Sequence, residues 1–249
     1  MKKNRFLLTG LLFSFCASSL AVELDAKLDW SGYQKHGFAV NGIIENVTSD
    51  IGQKVNKGSV LASLISTPFK YRVQKCQAVI NKFEPLIFDA KLEFDQAEEL
   101  FERTVLSEVE LQKIDGRYKN LLEQQNVAKA DCLLKKWDMK LSILKAKESI
   151  YILNSNVMPG TVISDENKST IYIESVSSKK ASAIASLSYT QKKQFSIGQE
   201  LKVVVDQQEF PAKVKSIDML PNTEKKYKVL AEFYYTNMIE PGKLIKIKY

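Results

Sequence analysis

The sequence predicts an elongated α+β chain, in which a long antiparallel helical hairpin interrupts one β domain and a second, small β domain follows. Three observations carry that expectation. Residues 38–65 are short, alternating and β-branched runs with glycines between them. Residues 69–149 contain one glycine and one proline, and their apolar residues recur alternately three and four apart. Beyond Ser149 short apolar runs return, separated by turn residues.

The N-terminus sets the compartment. Met1-Lys2-Lys3-Asn4-Arg5 is basic, Phe6–Cys16 is apolar, and small residues end at Ser19-Leu20-Ala21. That order is the pattern of a secretory signal peptide, with cleavage expected after Ala21. The apolar run is too short to anchor the chain across a bilayer, which takes roughly 20 residues. Phe13-Ser14-Phe15 is too bulky for a lipoprotein cut before Cys16. The net charge of +7 falls to about +4 without Lys2, Lys3 and Arg5, too little and too dispersed for a nucleic-acid footprint. Export leaves Cys76 and Cys132, two candidates for one disulfide in an oxidising compartment.

The first strands are expected near Phe38–Val47, Lys54–Val55 and Ser59–Ile65. Turns fall at 49–52 and 56–58, where glycine accepts a positive φ. Ser66-Thr67-Pro68 reads as a helix start: Thr67 caps free N–H groups and Pro68 suits the first helical position. Val73, Cys76, Ile80, Phe83, Ile87, Ala90, Phe94, Ala97 and Phe101 then form one apolar seam with coiled-coil spacing. Pro85 lies off that seam, and a kink is expected there.

The seam stops at 103–107, where Ser107-Glu108-Val109-Glu110 has the form of a capping box that opens a second helix. Leu111, Ile114, Tyr118, Leu121, Ala128 and Cys132 continue the spacing with Gln125 as the one lapse. The stripe then shifts to Leu134, Trp137, Leu141 and Leu144. Two helices joined by so short a turn run antiparallel, each arm about 50 Å long. Cys76 and Cys132 each stand 28 residues from Thr104, so they should meet at one height. A disulfide is favoured there over two buried thiols. Val157-Met158-Pro159-Gly160 is a turn entering a strand, and further strands are expected at Lys168–Val176, Glu200–Val205, Ala212–Ile217, Tyr227–Phe233 and Lys243–Lys248. They suggest a small barrel or sandwich.

In this order the chain resembles the membrane fusion proteins, the periplasmic adaptor family of hemolysin-secretion and multidrug-efflux type. Gly42-Ile43-Ile44, Val47, Gly52, Val55, Gly58, Leu61 and Leu64 are similar to the first half of that family's lipoyl-like domain. Leu100 to Ser107, with Glu110-Leu111, resembles its hairpin-turn motif. Ile197-Gly198-Gln199 and Glu240-Pro241-Gly242 are similar to its β-barrel. The resemblance implies a strand in 22–37 that joins the barrel and a lipoyl-like domain split into 38–66 and 150–167. It also implies a coiled-coil hairpin over 67–149 and a β-barrel over 168–249.

Three departures stand out. The family's tip motif is Arg, three residues, Leu, six residues, Ser. Leu100 and Ser107 fall in register, but Gln96 stands at the arginine position and cannot pair as a charge. Met158-Pro159-Gly160 is shorter than the family's turn in the second lipoyl half. Tyr249 follows the barrel directly, so a membrane-proximal domain is expected to be absent or minimal.

The resemblance implies a periplasmic adaptor, peripheral to the inner membrane, in a tripartite efflux or secretion system. It would link an inner-membrane transporter of RND or ABC type to an outer-membrane TolC-like channel, and self-associate into a ring. Gln96, Leu100, Val105, Leu106 and Ser107 would be its channel-contacting tip. No cofactor is expected, because Lys70 falls in a helical turn rather than at the hairpin tip of a lipoyl or biotinyl carrier. Catalysis is not expected either. His36, the one histidine, reads as a solvated loop residue, and no His and carboxylate pair has metal-ligand spacing. Glu98 and Glu99 read as a solvated face, and Trp30 and Trp137 as packing residues. Two competing classes are a periplasmic coiled-coil scaffold or chaperone without a transporter partner, and a carrier-type enzyme subunit.

Overall fold

The structure, a computed structural model, describes residues 22–249 apart from Lys168 and Met238. The signal-peptide reading of 1–21, Cys16 included, lies outside the described residues. The described residues form two compact units, one from Val22 to Asp29 with Ala181–Tyr249, the other Trp30–Lys180. β1 (Glu23–Trp30) opens the first unit. The second holds β2 (Gln34–His36), β3 (Gly42–Val47), β4 (Lys54–Val55), β5 (Val60–Leu64), α1 (Thr67–Glu102), α2 (Glu108–Leu141), β6 (Ile143–Lys145), β7 (Ile150–Ser155), β8 (Val162–Ile163) and β9 (Ile173–Ser177). The first unit resumes with β10 (Lys180–Leu187), α3 (Tyr189–Lys192), β11 (Glu200–Val205), β12 (Gln208–Ile217), β13 (Tyr227–Tyr234) and β14 (Leu244–Lys248).

The first unit is a closed barrel in the order β1-β10-β13-β12-β11-β14. Its strands alternate inward apolar and outward polar residues, the pattern of a sheet with one buried face. Leu28, Val203, Val229 and Ile247 fill the interior, and Ala181, Ala183 and Ala185 on β10 are buried among them. A small barrel needs short side chains at some inward positions, which accounts for the alanine row.

In the second unit two four-stranded sheets, β2-β9-β7-β4 and β6-β5-β3-β8, enclose a common core. Phe38, Ile44, Leu61, Leu64, Ile150, Ile152, Ile163 and Ile173 are buried there. Gly52 and Gly58 take φ of 82° and 86° in the turns flanking β4, as the sequence requires. Phe69 of α1 joins this core and Met139 of α2 packs against it. Both helices are therefore rooted in the β core at the end where the chain enters α1 and leaves α2.

α1 and α2 run antiparallel. The Cys76–Cys132 disulfide, the Phe94–Tyr118 ring pair and the Glu93–Arg117 ion pair link successive levels of the two helices. The α1 seam is buried or half-buried from Val73 to Ala97, and α1 continues through Pro85, which faces solvent. Gln125 is buried, so it belongs to the seam of α2 instead of interrupting it. Among the described residues no helix is long and apolar enough to cross a membrane.

Several expectations change. The stripe does not shift to Leu134 and Trp137, which are 61% and 58% exposed, so Trp137 is not a packing residue. From Cys132 the helical period carries the inner face to half-buried Met139, and residues two and five positions on point elsewhere. α2 ends at Leu141 rather than near Ser149, because Ile143–Lys145 pairs with β5 as a strand. Leu144 is therefore in β6. The strand expected in the barrel at Lys168–Val176 is β9, which pairs with β7 and β2 in the other unit. The segment 22–37 is likewise divided: β1 joins the barrel through β14, while β2 pairs with β9. His36 is buried on β2, with Nε2 2.7 Å from Ser175 Oγ, because the β2–β9 pairing turns its side chain inward.

Candidate functional site

The connection between α1 and α2 is built from two helix ends placed back to back. At the first, Arg103 caps α1 and Thr104 takes φ of 60°. The Thr104 N–H donates to the Phe101 carbonyl at 2.9 Å and the Val105 N–H to the Leu100 carbonyl at 2.9 Å. This pair of bonds is a Schellman ending, which satisfies carbonyls that the helix leaves open. Glycine normally holds the left-handed position; here β-branched threonine does, at a steric cost.

Two residues later Ser107 starts α2. Its Oγ accepts the Glu110 N–H at 3.3 Å, and the Glu110 carboxylate accepts the Ser107 N–H at 3.3 Å. The Ser107 hydroxyl also donates to Glu110 Oε2 at 2.8 Å. These bonds from the Ser107 hydroxyl and then its backbone hold the Glu110 carboxyl below its usual pKa. The turn is thus held by backbone bonds on the α1 side and by the Ser107–Glu110 side-chain bonds on the α2 side.

What this turn presents is apolar. Val105 is 71% exposed and Val109 75%, and Leu100 and Phe101 are exposed beside them in the chain. Leu106 is half-buried, and its N–H reaches the Leu100 carbonyl at 3.3 Å. Of the residues singled out in the sequence, Leu100, Val105, Leu106 and Ser107 meet in this turn. Gln96 is exposed one helical turn before Leu100. Phe101 and Val109 were missed. Phe101 reads as the last seam residue, yet the seam has run out there. Val109 sits inside the capping box, where the pattern draws the eye to Ser107 and Glu110.

The rim of the turn is acidic. Glu98, Glu99, Glu102, Glu108 and Glu110 are all exposed, and Arg103 is the one cation within 96–112. Among the described residues no three His, Cys, Asp or Glu side chains converge as a metal site. His36 is bonded to Ser175 in a β core, and Cys76 and Cys132 are bonded to each other. The turn therefore presents an exposed apolar surface with an acidic rim.

No protein-family model matches the chain, and no curated protein matches it in sequence. Solved structures do match. The membrane fusion protein Spr0693 from Streptococcus pneumoniae R6 aligns with 91% of this chain and 97% of its own, with a TM-score of 0.63 at 16% identity. The chain has the fold of the membrane fusion proteins. A MacA–MexA chimera carrying the Pseudomonas aeruginosa MexA α-hairpin domain aligns with 92% of this chain and 81% of its own, with a TM-score of 0.59 at 15% identity. MacA from Actinobacillus actinomycetemcomitans aligns with 91% and 78%, with a TM-score of 0.57 at 17% identity. The resemblance drawn from the three sequence stretches holds as a likeness of membrane-fusion-protein fold.

Proposed function

We propose that the chain is a periplasmic adaptor of a tripartite efflux or secretion system. In this reading the split β unit is lipoyl-like, α1 and α2 are its coiled-coil hairpin, and the barrel seats on an inner-membrane transporter. Copies of the chain pack side by side into a ring, and the hairpin turn meets an outer-membrane TolC-like channel. The observation that carries the reading is the hydrogen-bonded turn at 103–107, which leaves Val105 exposed on a fold shared with membrane fusion proteins. An apolar residue held out by a bonded turn is a contact surface in waiting.

Gln96 in place of the family's arginine, together with the acidic rim, changes the chemistry of that contact. The partner surface would offer cations around an apolar recess, and association would weaken with added salt.

The test is a crosslink from Val105→Cys in cells expressing the protein at native level, with Cys76 and Cys132 left in place. Capture of an outer-membrane channel protein supports both the adaptor role and the tip. Capture of only heterogeneous periplasmic polypeptides overturns it in favour of a chaperone or scaffold.

A further inference from the structure

The barrel carries a second exposed apolar surface, unrelated to the hairpin turn. Strand pairing brings the β10–β11 and β12–β13 connections to one end: Glu200 pairs with Lys213, and Ile217 with Val229. The two connections are also tied to each other. The Lys192 ammonium donates to the Met219 carbonyl at 3.2 Å and lies 4.0 Å from the Tyr227 ring centre. The Tyr189 and Tyr227 rings are 6.2 Å apart, and Lys193 lies over Tyr189 at 4.7 Å.

From this end project Met219, 88% exposed, Leu220, 81% exposed, and Ile197, 73% exposed. The projection is held and not slack. Asn222 Oδ1 accepts the Glu224 and Lys226 N–H groups, and the Asn222 N–H donates to the Lys226 carbonyl at 2.8 Å. Below the apex the Asp218 N–H donates to the Lys228 carbonyl at 2.9 Å. These bonds flank Met219 and Leu220 on both sides, and the Lys192 bond to the Met219 carbonyl adds a third.

Lys192, Lys193, Lys225 and Lys226 lie in these two connections with the carboxylates Asp218 and Glu224, and Glu200 follows at the start of β11, paired across to Lys213. Glu224 is paired with Lys226 at 3.5 Å, and Asp218 accepts the Lys228 backbone N–H at 3.3 Å. The chain also enters and leaves the barrel here. Glu23 pairs with Lys248, and the Tyr249 hydroxyl donates to Gln194 at 3.1 Å.

We propose that this end of the barrel docks on an anionic phospholipid bilayer, with Met219, Leu220 and Ile197 inserted among the headgroups. Three features select a lipid surface over a protein groove. Met219 and Leu220 are adjacent in one bonded loop and almost fully exposed. Lysines lie beside them, Lys225 and Lys226 in the same loop and Lys192 bonded to the Met219 carbonyl, where they would meet anionic headgroups. Tyr189, 59% exposed, lies under Lys193 and beside Tyr227, and aromatic rings are favoured at a membrane interface. Neither signal alone anchors a protein stably; an apolar insertion and a basic patch together do. The inference deepens the proposed peripheral location at the inner membrane, yet needs neither a transporter nor a channel.

The experiment sediments the chain, purified after export, with phosphatidylethanolamine vesicles containing phosphatidylglycerol and, separately, with phosphatidylcholine vesicles. Binding to the anionic vesicles is expected, falling with added salt and about tenfold or more in the double variant Met219→Ser, Leu220→Ser. Lys192→Gln with Lys193→Gln should weaken anionic binding while the far-UV spectrum stays unchanged. Equal binding to both vesicle types, no binding at all, or undiminished binding by the Met219, Leu220 variant would overturn the proposal. So would a double variant that keeps vesicle binding but loses an inner-membrane protein partner, since the apex would then be a protein contact. Because the Val105→Cys crosslink reads the hairpin turn independently, failure of either assignment leaves the other standing.

Discussion

Cys76 and Cys132 join α1 to α2 with Cα atoms 5.1 Å apart, across 56 residues of chain. They form a small buried cluster with Ile80, against which Ala128 packs. Little else is fully buried between these helices. α1 buries Ala90 and Ala97 farther out, and α2 buries only Gln125 besides its cysteine. A pair of helices with so thin an apolar seam depends on its covalent link. Closing a loop of this size stabilises by about 4 kcal/mol in the chain-entropy model. Reduction, or Cys132→Ala, is therefore expected to lower the thermal midpoint of the helical signal in circular dichroism. An unchanged midpoint would mean that the seam suffices.

Where the sequence was legible, and where it was not, follows from what each pattern encodes. The α1 seam and the Ser107 capping box are local signals, and both appear where the spacing put them. The cysteine pairing follows from symmetry about the turn, which is simple arithmetic once the turn is placed. The end of α2 was not legible. Ser142 to Lys145 continues an apolar period, and only pairing of β6 with β5 makes it a strand. β10 was missed altogether, since alanine favours helices and the row Ala181, Ala183, Ala185 has a strand's alternation without a strand's residues. For His36 the polar neighbours suggested a loop, and nothing local reveals a partner strand from residue 173. At the hairpin turn, the bonded geometry was readable but the exposure of Phe101 and Val109 was not. Exposure depends on where the partner helix ends.

Thr104 invites a stabilising substitution. Its φ of 60° crowds a β-branched side chain against the backbone, at a cost of about 1–2 kcal/mol, whereas glycine there costs only unfolded-chain entropy. Thr104→Gly should raise the stability of the helical pair by about 0.5–1 kcal/mol, read from urea unfolding followed at 222 nm. A loss of stability would mean that the threonine side chain makes a contact worth more than the strain.

His36 should make the split β unit sensitive to mild acid. Burial beside Ser175 pushes its pKa below the ordinary 6.5, and Lys147 pushes in the same direction while Glu148 opposes. The unfolded chain therefore takes up the proton first as pH falls. Stability is full above about pH 6.5, declines below it, and levels off only beneath the folded-state value. Between about pH 7.5 and about pH 5.5 the urea midpoint of the native chain should drop more than that of His36→Gln. Parallel curves for the two would show that His36 accepts its proton without disturbing the core.

Glu209 should tie the outside of the barrel together. Lys202 on β11 and Lys248 on β14 stand directly opposite each other, a repulsive placement across paired strands. Glu209 on β12 accepts from both, one carboxylate oxygen for each, at 2.8 Å. The hydrogen bonds from Lys202 and then Lys248 hold its pKa down, to about 2 against an ordinary 4.5. A depressed carboxylate contributes stability that is full above about 4.5 and is lost as pH falls toward about 2. Because the group is exposed to solvent, water and salt screen it, and the effect at neutral pH is small. Glu209→Gln leaves the two lysines facing each other without their shared anion. The expected result is a barrel whose melting temperature drops by no more than a few degrees at low salt and recovers as salt is added. The variant should also lose part of the native chain's acid sensitivity between about pH 4.5 and about pH 2. If its melting temperature stays low at high salt, then the lost contribution is packing of the glutamate stem on β11 and not the bridging of charge.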